Sequence, residues 1–232
     1  MNIKATLPVL IALALAGTVR AAPAIIDFST GSAVDNGTVS YAGGAAPLVG
    51  TNIGIGLVRG ISTPSNDGTT DAVSALLDFT TGAFTGYNAA TDTYSFGAGG
   101  SLTITGTGPG CLTVGGCDGN TPNTTSGPAL LTGSVISATY TGGLFDIVLA
   151  AGTDTKDVLL TNFFGLPASF TYQFSGSVHA AITSGGGGDA FSAASTASTD
   201  IRNQAVPEPA GVVLLGTLLL GVAGLVRRRV AV

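Results

Sequence analysis

Short stretches in which apolar and polar residues alternate fill the central part of the chain. In "GSLTITG", Leu102 and Ile104 fall on one face of an extended strand. In "GSVISATYTG", the odd positions from Val135 to Thr139 would face away from the even positions from Ile136 to Tyr140. A period of two residues is typical of a strand that is buried on one side, so both segments are predicted to be strands.

Two further segments extend the same pattern. "FDIVLAAGT" is a more continuous apolar run, as expected for a buried strand. In "SFTYQFSGSVHAAIT", Phe170, Tyr172 and Phe174 share one face, and Thr171 and Gln173 lie on the other. We see no internal repeat of fixed period.

Turn signals separate these segments, which favours a mainly β fold. Gly-Gly, Pro-Gly and Asn-Asp-Gly recur between the apolar runs. Residues 22–183 are therefore predicted to form a β-sandwich or jelly-roll-like ectodomain. "TTDAVSALLDF" leaves one alternative open, because it would also suit a short helix.

The composition agrees with strands and turns and excludes one class of partner. The chain of 232 residues has 36 glycines and only 9% charged residues. Glycine and β-branched threonine are poor helix formers. Between residues 22 and 205 there are twelve aspartates and three basic residues, a net charge of −9. Such a domain repels nucleic-acid phosphates, so nucleic-acid binding is excluded as its function.

The first residues, "MNIKATLPVLIALALAGTVRAAPA", have the order of a secretory signal peptide. A lysine precedes the apolar stretch Leu7–Gly17, and Val19 and Ala21 supply small residues before a cleavage point. Cleavage is predicted after Ala21. A cut after Ala22 is disfavoured, because Pro23 would follow that cut directly. Residues 1–21 are thus predicted to direct export through the Sec translocon, with an uncleaved anchor as the alternative.

A second apolar segment lies near the C-terminus. Residues 210–226 carry no charge and would span about 25 Å as a helix, the short end of a transmembrane span. Arg227, Arg228 and Arg229 follow at once, and by the positive-inside rule they stay in the cytoplasm. The segment is predicted to be a transmembrane helix with the ectodomain outside, and a buried core helix is the alternative.

Between the predicted ectodomain and this helix lie two segments of different character. Residues 184–205, "SGGGGDAFSAASTASTDIRNQA", are small and polar and are predicted to form a flexible linker. Pro207, Glu208 and Pro209 follow; the two prolines hold the backbone extended, as a protease requires of its substrate. A stiff spacer beside the membrane is the alternative interpretation.

Pro-Glu-Pro, an apolar helix and a terminal arginine cluster, in this order, resemble the PEP-CTERM sorting signal of Gram-negative surface proteins. The resemblance covers residues 206–229. It implies that an exosortase recognises Pro207, Glu208 and Pro209, with Arg227, Arg228 and Arg229 retaining and orienting the tail. It further implies an inner-membrane precursor with its body in the periplasm. Processing would then deliver the protein to the cell surface or to an extracellular polysaccharide matrix.

Candidate chemistry in the ectodomain is sparse. Cys111 and Cys117 enclose "LTVGG" and are predicted to form a local disulfide in an oxidising compartment. His179 lies in a predicted strand, and no Gly-x-Ser-x-Gly nucleophile motif occurs in the chain. We expect an ordinary strand histidine and no cofactor.

The aspartates are the remaining candidates for a site. Asp67 and Asp71 lie in "NDGTTD", and Asp154 and Asp157 lie in "GTDTKD". Such loops could bind calcium, although neither matches the EF-hand pattern. Paired carboxylates could also serve a glycosidase. Aspartates that cap turns are the interpretation the pattern favours, and no metal site is predicted.

These observations favour a secreted, exosortase-processed surface or matrix protein that is structural or adhesive and not an enzyme. A calcium- or carbohydrate-binding surface module is the alternative. A secreted hydrolase that uses aspartate pairs is a further one.

Overall fold

The computed structural model describes residues 23–30, 37–107, 129–141, 146–166, 172–182 and 188–205. From residue 24 onward they belong to one compact unit, Ala24–Val206. Within these ranges the chain forms the following elements: β1 Ile25–Ser29, β2 Thr38–Tyr41, β3 Pro47–Ile61, β4 Thr70–Asn88, β5 Thr93–Phe96, β6 Gly100–Gly106, β7 Ala129–Thr141, β8 Asp146–Lys156, α1 Val158–Phe163, β9 Tyr172–Ile182 and β10 Phe191–Ala205.

The ten strands belong to one antiparallel sheet whose pairings close into a ring. β3 pairs with β4, and β4 pairs with β5 and β6, which both pair with β7. From β7 the ladder continues through β8 and β9 to β10. β10 then pairs with β1 and β2, which both return to β3. The prediction of a mainly β fold is confirmed; the sandwich or jelly-roll assignment is finer than these pairings and stays a prediction.

The core occupies the inner face of this ring, as the alternation in the sequence predicts. Leu102 and Ile104 are fully buried on β6. Along β4, Val73, Ala75, Leu77 and Phe79 are buried, while the residues that alternate with them are more exposed. The alternative of a short helix in "TTDAVSALLDF" is therefore wrong, because its apolar residues follow a period of two and pair with β3 and β6.

One strand departs from simple alternation because of a β-bulge. Val135 pairs with Ala151 and Ser137 pairs with Ala150, so β7 carries an extra residue at this point. Ile136 occupies the extra position and is 51% exposed, whereas Val135 and Ala138 are both buried. The expected grouping of Ile136 with the even positions of β7 is therefore corrected.

Helix α1 packs against the β3–β4 connection. The backbone N–H of Ser65 donates to the carbonyl of Phe164 at 3.0 Å. The side-chain amide of Asn66 donates to the carbonyl of Phe163 at 2.7 Å. A Cβ at Gly60 would lie 2.6 Å from the Phe164 ring, so this close approach requires glycine.

The prediction of a flexible linker over residues 184–205 is wrong for residues 191–205, which form β10. Its backbone pairs with β9 along one side and with β2 and then β1 along the other. Ile201 is fully buried in the core. Small polar residues form a strand here because partners on both sides use their backbone hydrogen-bonding groups, and composition alone does not reveal those partners. The folded unit thus extends past the predicted ectodomain boundary at residue 183.

No helix in the ranges given above is both long and apolar enough to cross a membrane. The predicted span 210–226 lies outside those ranges, as do the predicted signal peptide 1–21 and its cleavage residues Ala21 and Ala22.

Candidate functional site

Two of the predicted candidate regions contain buried charge, and the first is the end of β8. Asp154 and Lys156 are two residues apart, so both side chains point to the same face of the strand. Lys156 lies opposite Leu131, which is fully buried, and Asp154 lies opposite Gly133. Residues that face each other on antiparallel strands share a face, so this acid and this amine point into the ring.

The Asp154 carboxylate and the Lys156 ammonium form a close ion pair. Nζ of Lys156 donates to Oδ1 of Asp154 at 2.9 Å and to Oδ2 at 3.2 Å. The side chain of Lys156 is only 1% exposed, and that of Asp154 is 0% exposed. Burial lowers the pKa of Lys156 from 10.5 to about 8, although the neighbouring carboxylate opposes this shift. Burial also raises the pKa of Asp154, against the effect of the lysine. Desolvation is thus the larger influence on both groups.

Asp71 is the second buried charge and lies at the start of β4. It pairs with Val58 of β3, and its side chain occupies an inward position of the alternating pattern. The residue is 5% exposed, and its Oδ2 atom makes no hydrogen bond. Burial raises the pKa of this carboxyl. The hydroxyl of Thr63, also buried and without a hydrogen bond, lies in the preceding loop. Asp71 is therefore an acidic residue at a core position and does not cap a turn.

The remaining two candidates have different roles. Asp157 precedes α1, and its carboxylate accepts a hydrogen bond from the backbone N–H of Leu159 at 2.7 Å. This is the helix-capping arrangement, which satisfies a donor that the helix leaves open. Asp67 is exposed in the β3–β4 connection. The four predicted aspartates thus occupy a core strand, an ion pair, a helix cap and a surface loop. In the ranges described, no three His, Cys, Asp or Glu residues form a group that could hold a metal ion.

A row of opposite charges crosses three neighbouring strands on the outer face. Asp27 on β1 lies opposite Arg59 on β3 and opposite Arg202 on β10. Its neighbours Ile26 and Phe28 are buried, so Asp27 faces outward, and both arginines are exposed. We call these three residues the charged row. Sequence reasoning missed it because its members are far apart along the chain, and only the strand register brings them together.

Aromatic side chains form a cluster in the ring beside the β4–β5 hairpin. The phenol of Tyr41 donates to the carbonyl of Gly44 at 2.7 Å. The Tyr94 ring lies 4.9 Å from that of Tyr87 and 5.3 Å from that of Phe191. Burial raises the pKa of both Tyr41 and Tyr94. These edge-to-face and tilted contacts are typical of a packed aromatic core, and they fix the first residue of β10.

Several predicted site residues receive no structural account. His179 lies on β9 opposite Asp146, as the strand prediction expects, but its side chain is not described. Cys111 and Cys117 lie outside the described residues. The same is true of the predicted sorting and orientation residues, Pro207, Glu208, Pro209, Arg227, Arg228 and Arg229.

Comparisons of the chain with protein-family models, with curated proteins and with solved structures found no match. Any function proposed for the chain therefore depends on its own residues.

Proposed function

We propose that the protein is an exported surface or matrix protein whose C-terminal tail is removed by an exosortase. The observation that carries the proposal is the order of signals around one folded unit. A signal-peptide pattern precedes it, and Pro207-Glu208-Pro209, an apolar segment and three arginines follow it. In this proposal residues 1–21 are the signal peptide and residues 210–226 cross the inner membrane. The Sec translocon and the exosortase are the processing partners, and extracellular polysaccharide is a destination.

A structural or adhesive role for the folded unit is part of the same proposal. Its support is that three aspartates of the folded unit bind other groups of the same fold. Asp157 caps α1, Asp154 binds Lys156, and Asp78 accepts a hydrogen bond from the backbone N–H of Asn52 at 2.8 Å. For the fold, we further propose that the ring is flattened into a sandwich or jelly roll, in which two layers of strands pack face to face.

The two ends of the folded unit lie next to each other. Ile25, at the start of β1, lies directly opposite Gln204, next to the end of β10. The first and last strands of the folded unit therefore begin and end at neighbouring positions of the sheet. Because β10 is held between β9 and β1, removal of residues beyond it would leave every described strand in place.

Intact mass and cell fractionation test the proposal. The full chain is expressed in a Gram-negative host that carries an exosortase, with and without replacement of Pro207, Glu208 and Pro209 by alanine. We expect the unsubstituted chain to lose its tail and to reach the surface or the medium, and the substituted chain to keep its arginines in the inner membrane. A tail retained in both would refute the proposal.

A further inference from the structure

We propose that the paired end of β10 restricts access to Pro207-Glu208-Pro209, so that tail removal requires this end of the strand to separate from its neighbours. The inference rests on the proposed function and adds the way in which that processing is regulated. The inference depends on the length of β10, which continues to Ala205. A flexible linker over residues 184–205 would have left the motif freely accessible.

The covalent chain sets the distance. Ala205, the last residue of β10, still pairs with Tyr172 of β9. Pro207 is only two residues further along, which is at most about 7 Å of extended chain. An enzyme that binds its substrate by strand addition needs the backbone hydrogen-bonding groups of an extended segment to be free. Residues 203–205, which come shortly before the motif, are therefore paired in the sheet.

Both sides of β10 are occupied as far as Gln204, and Ala205 is paired with β9 alone. Gln204 lies between Ile25 of β1 and Gln173 of β9, so neither edge of the strand is open to an enzyme. Access therefore requires some of these backbone hydrogen bonds to break. Each such bond contributes modestly to stability, which makes local separation possible while the rest of the ring stays closed.

The buried side chain of Ile201 sets the point along β10 at which this separation stops. Ile201 is fully buried and anchors the strand in the core. Arg202 and Gln204, which follow it, are exposed. After Ile201, Arg202 lies opposite Asp27, so the charged row includes this end of the strand. Opposite charges that face each other across strands stabilise the pairing. The segment that separates is therefore residues 202–205.

The test measures the half-time of tail removal by pulse–chase of the full chain in the exosortase-carrying host. A six-residue Gly-Ser insertion between Ala205 and Val206 moves the motif away from the sheet without changing any paired residue. We expect it to shorten the half-time by about tenfold, because hydrogen bonds no longer have to break. Arg202→Ala should shorten it by about two- to fivefold, as cross-strand charge pairs contribute modestly.

Arg59→Ala is the matched control. It removes an arginine from the same row but leaves Asp27 opposite Arg202, so the half-time should stay unchanged. Thermal unfolding of each variant shows that the ring remains folded. An insertion that leaves the half-time unchanged, while alanine at residues 207–209 blocks removal, overturns this inference and leaves the proposed function standing. Equal half-times for Arg202→Ala and Arg59→Ala overturn the role of the charged row. A tail that the unsubstituted chain never loses overturns both proposals.

Discussion

Replacing the buried ion pair of β8 by apolar residues should leave the protein as stable as before, although removing the lysine alone should destabilise it strongly. The basis is the burial of Lys156 and Asp154, whose side chains are 1% and 0% exposed. Lowering the pKa of Lys156 from 10.5 to about 8 means that the folded state disfavours its charged form by about 3 kcal/mol. Desolvation therefore exceeds the attraction between the two groups.

The magnitudes follow from what each variant leaves behind. Lys156→Met leaves the Asp154 carboxylate buried without its ammonium partner, which costs about 3–5 kcal/mol of unfolding free energy. The double variant, Asp154→Leu with Lys156→Met, removes both desolvated charges and fills similar volume. Its unfolding free energy should equal that of the unsubstituted protein or exceed it by about 1–4 kcal/mol. The non-additivity between the single and double variants measures their coupling.

Urea denaturation of the full chain at pH 7 gives these free energies, provided that the m-values agree between variants. Thr155→Val is the control, because this exposed residue lies between the two charged residues on the opposite face. It should change the free energy by less than about 0.5 kcal/mol. A loss below about 1 kcal/mol for Lys156→Met would refute the reasoning, since it would mean that the ammonium is solvated.

The pH dependence gives a second check on the same pair. A lysine whose pKa is lower in the folded state than in the unfolded state binds its proton more weakly when folded. Stability should therefore rise as the pH increases from about 8 to 10.5. Lys156→Met should lack this rise, which urea titrations at a series of pH values would detect.

Three further variants test other parts of the structure. Gly60→Ala should lower the unfolding free energy by about 1–3 kcal/mol, because the new Cβ would lie 2.6 Å from the Phe164 ring; Gly86→Ala, with open space at its Cβ, serves as the control in the same urea assay. Asp71→Asn should raise the melting temperature at pH 7 but not at pH 3. Because burial raises the pKa of Asp71 in the folded state, ionisation of this carboxyl destabilises the protein as the pH rises above 3.8, and asparagine removes that effect. Equal shifts at both pH values would contradict this account. Asp157→Ala should cost about 0.5–2 kcal/mol by removing the cap of α1, whereas a serine at the same position should restore most of the loss in thermal unfolding.

Local patterns in the sequence predict strands where one side of each strand is buried. Leu102 and Ile104 on β6 illustrate this, because alternation follows directly from strand geometry. Alternation fails at Ile136, since a bulge depends on how two strands pair and not on either strand alone. The linker prediction fails at residues 191–205 for a related reason, because small polar residues have no strong preference and follow the backbone partners on both sides.

The candidate aspartates show the same division. The sequence favours aspartates that cap turns, whereas Asp157 caps a helix. Both roles are local, because each requires only a backbone N–H about two residues away. Nothing in the sequence distinguishes Asp154 from a surface aspartate. Asp71 is in phase with the buried positions of β4, but this signal has meaning only once the segment is a strand and not the helix that the sequence also allowed. Their burial arises because the register places them on the inner face of the ring. The charged row likewise exists only after β1, β3 and β10 have paired.

The sequence by itself determined the mainly β character of the folded unit and its low content of charge, since both depend on the identity and spacing of neighbouring residues. It also supplies the signals from which the proposed export and processing are argued. Only the tertiary structure decided that the strands close into a ring, that β10 belongs to the ring, and which charges are buried. These properties depend on register between residues distant along the chain. The packing of the apolar faces of different strands and the turns between them set that register, so no single local stretch of sequence contains it.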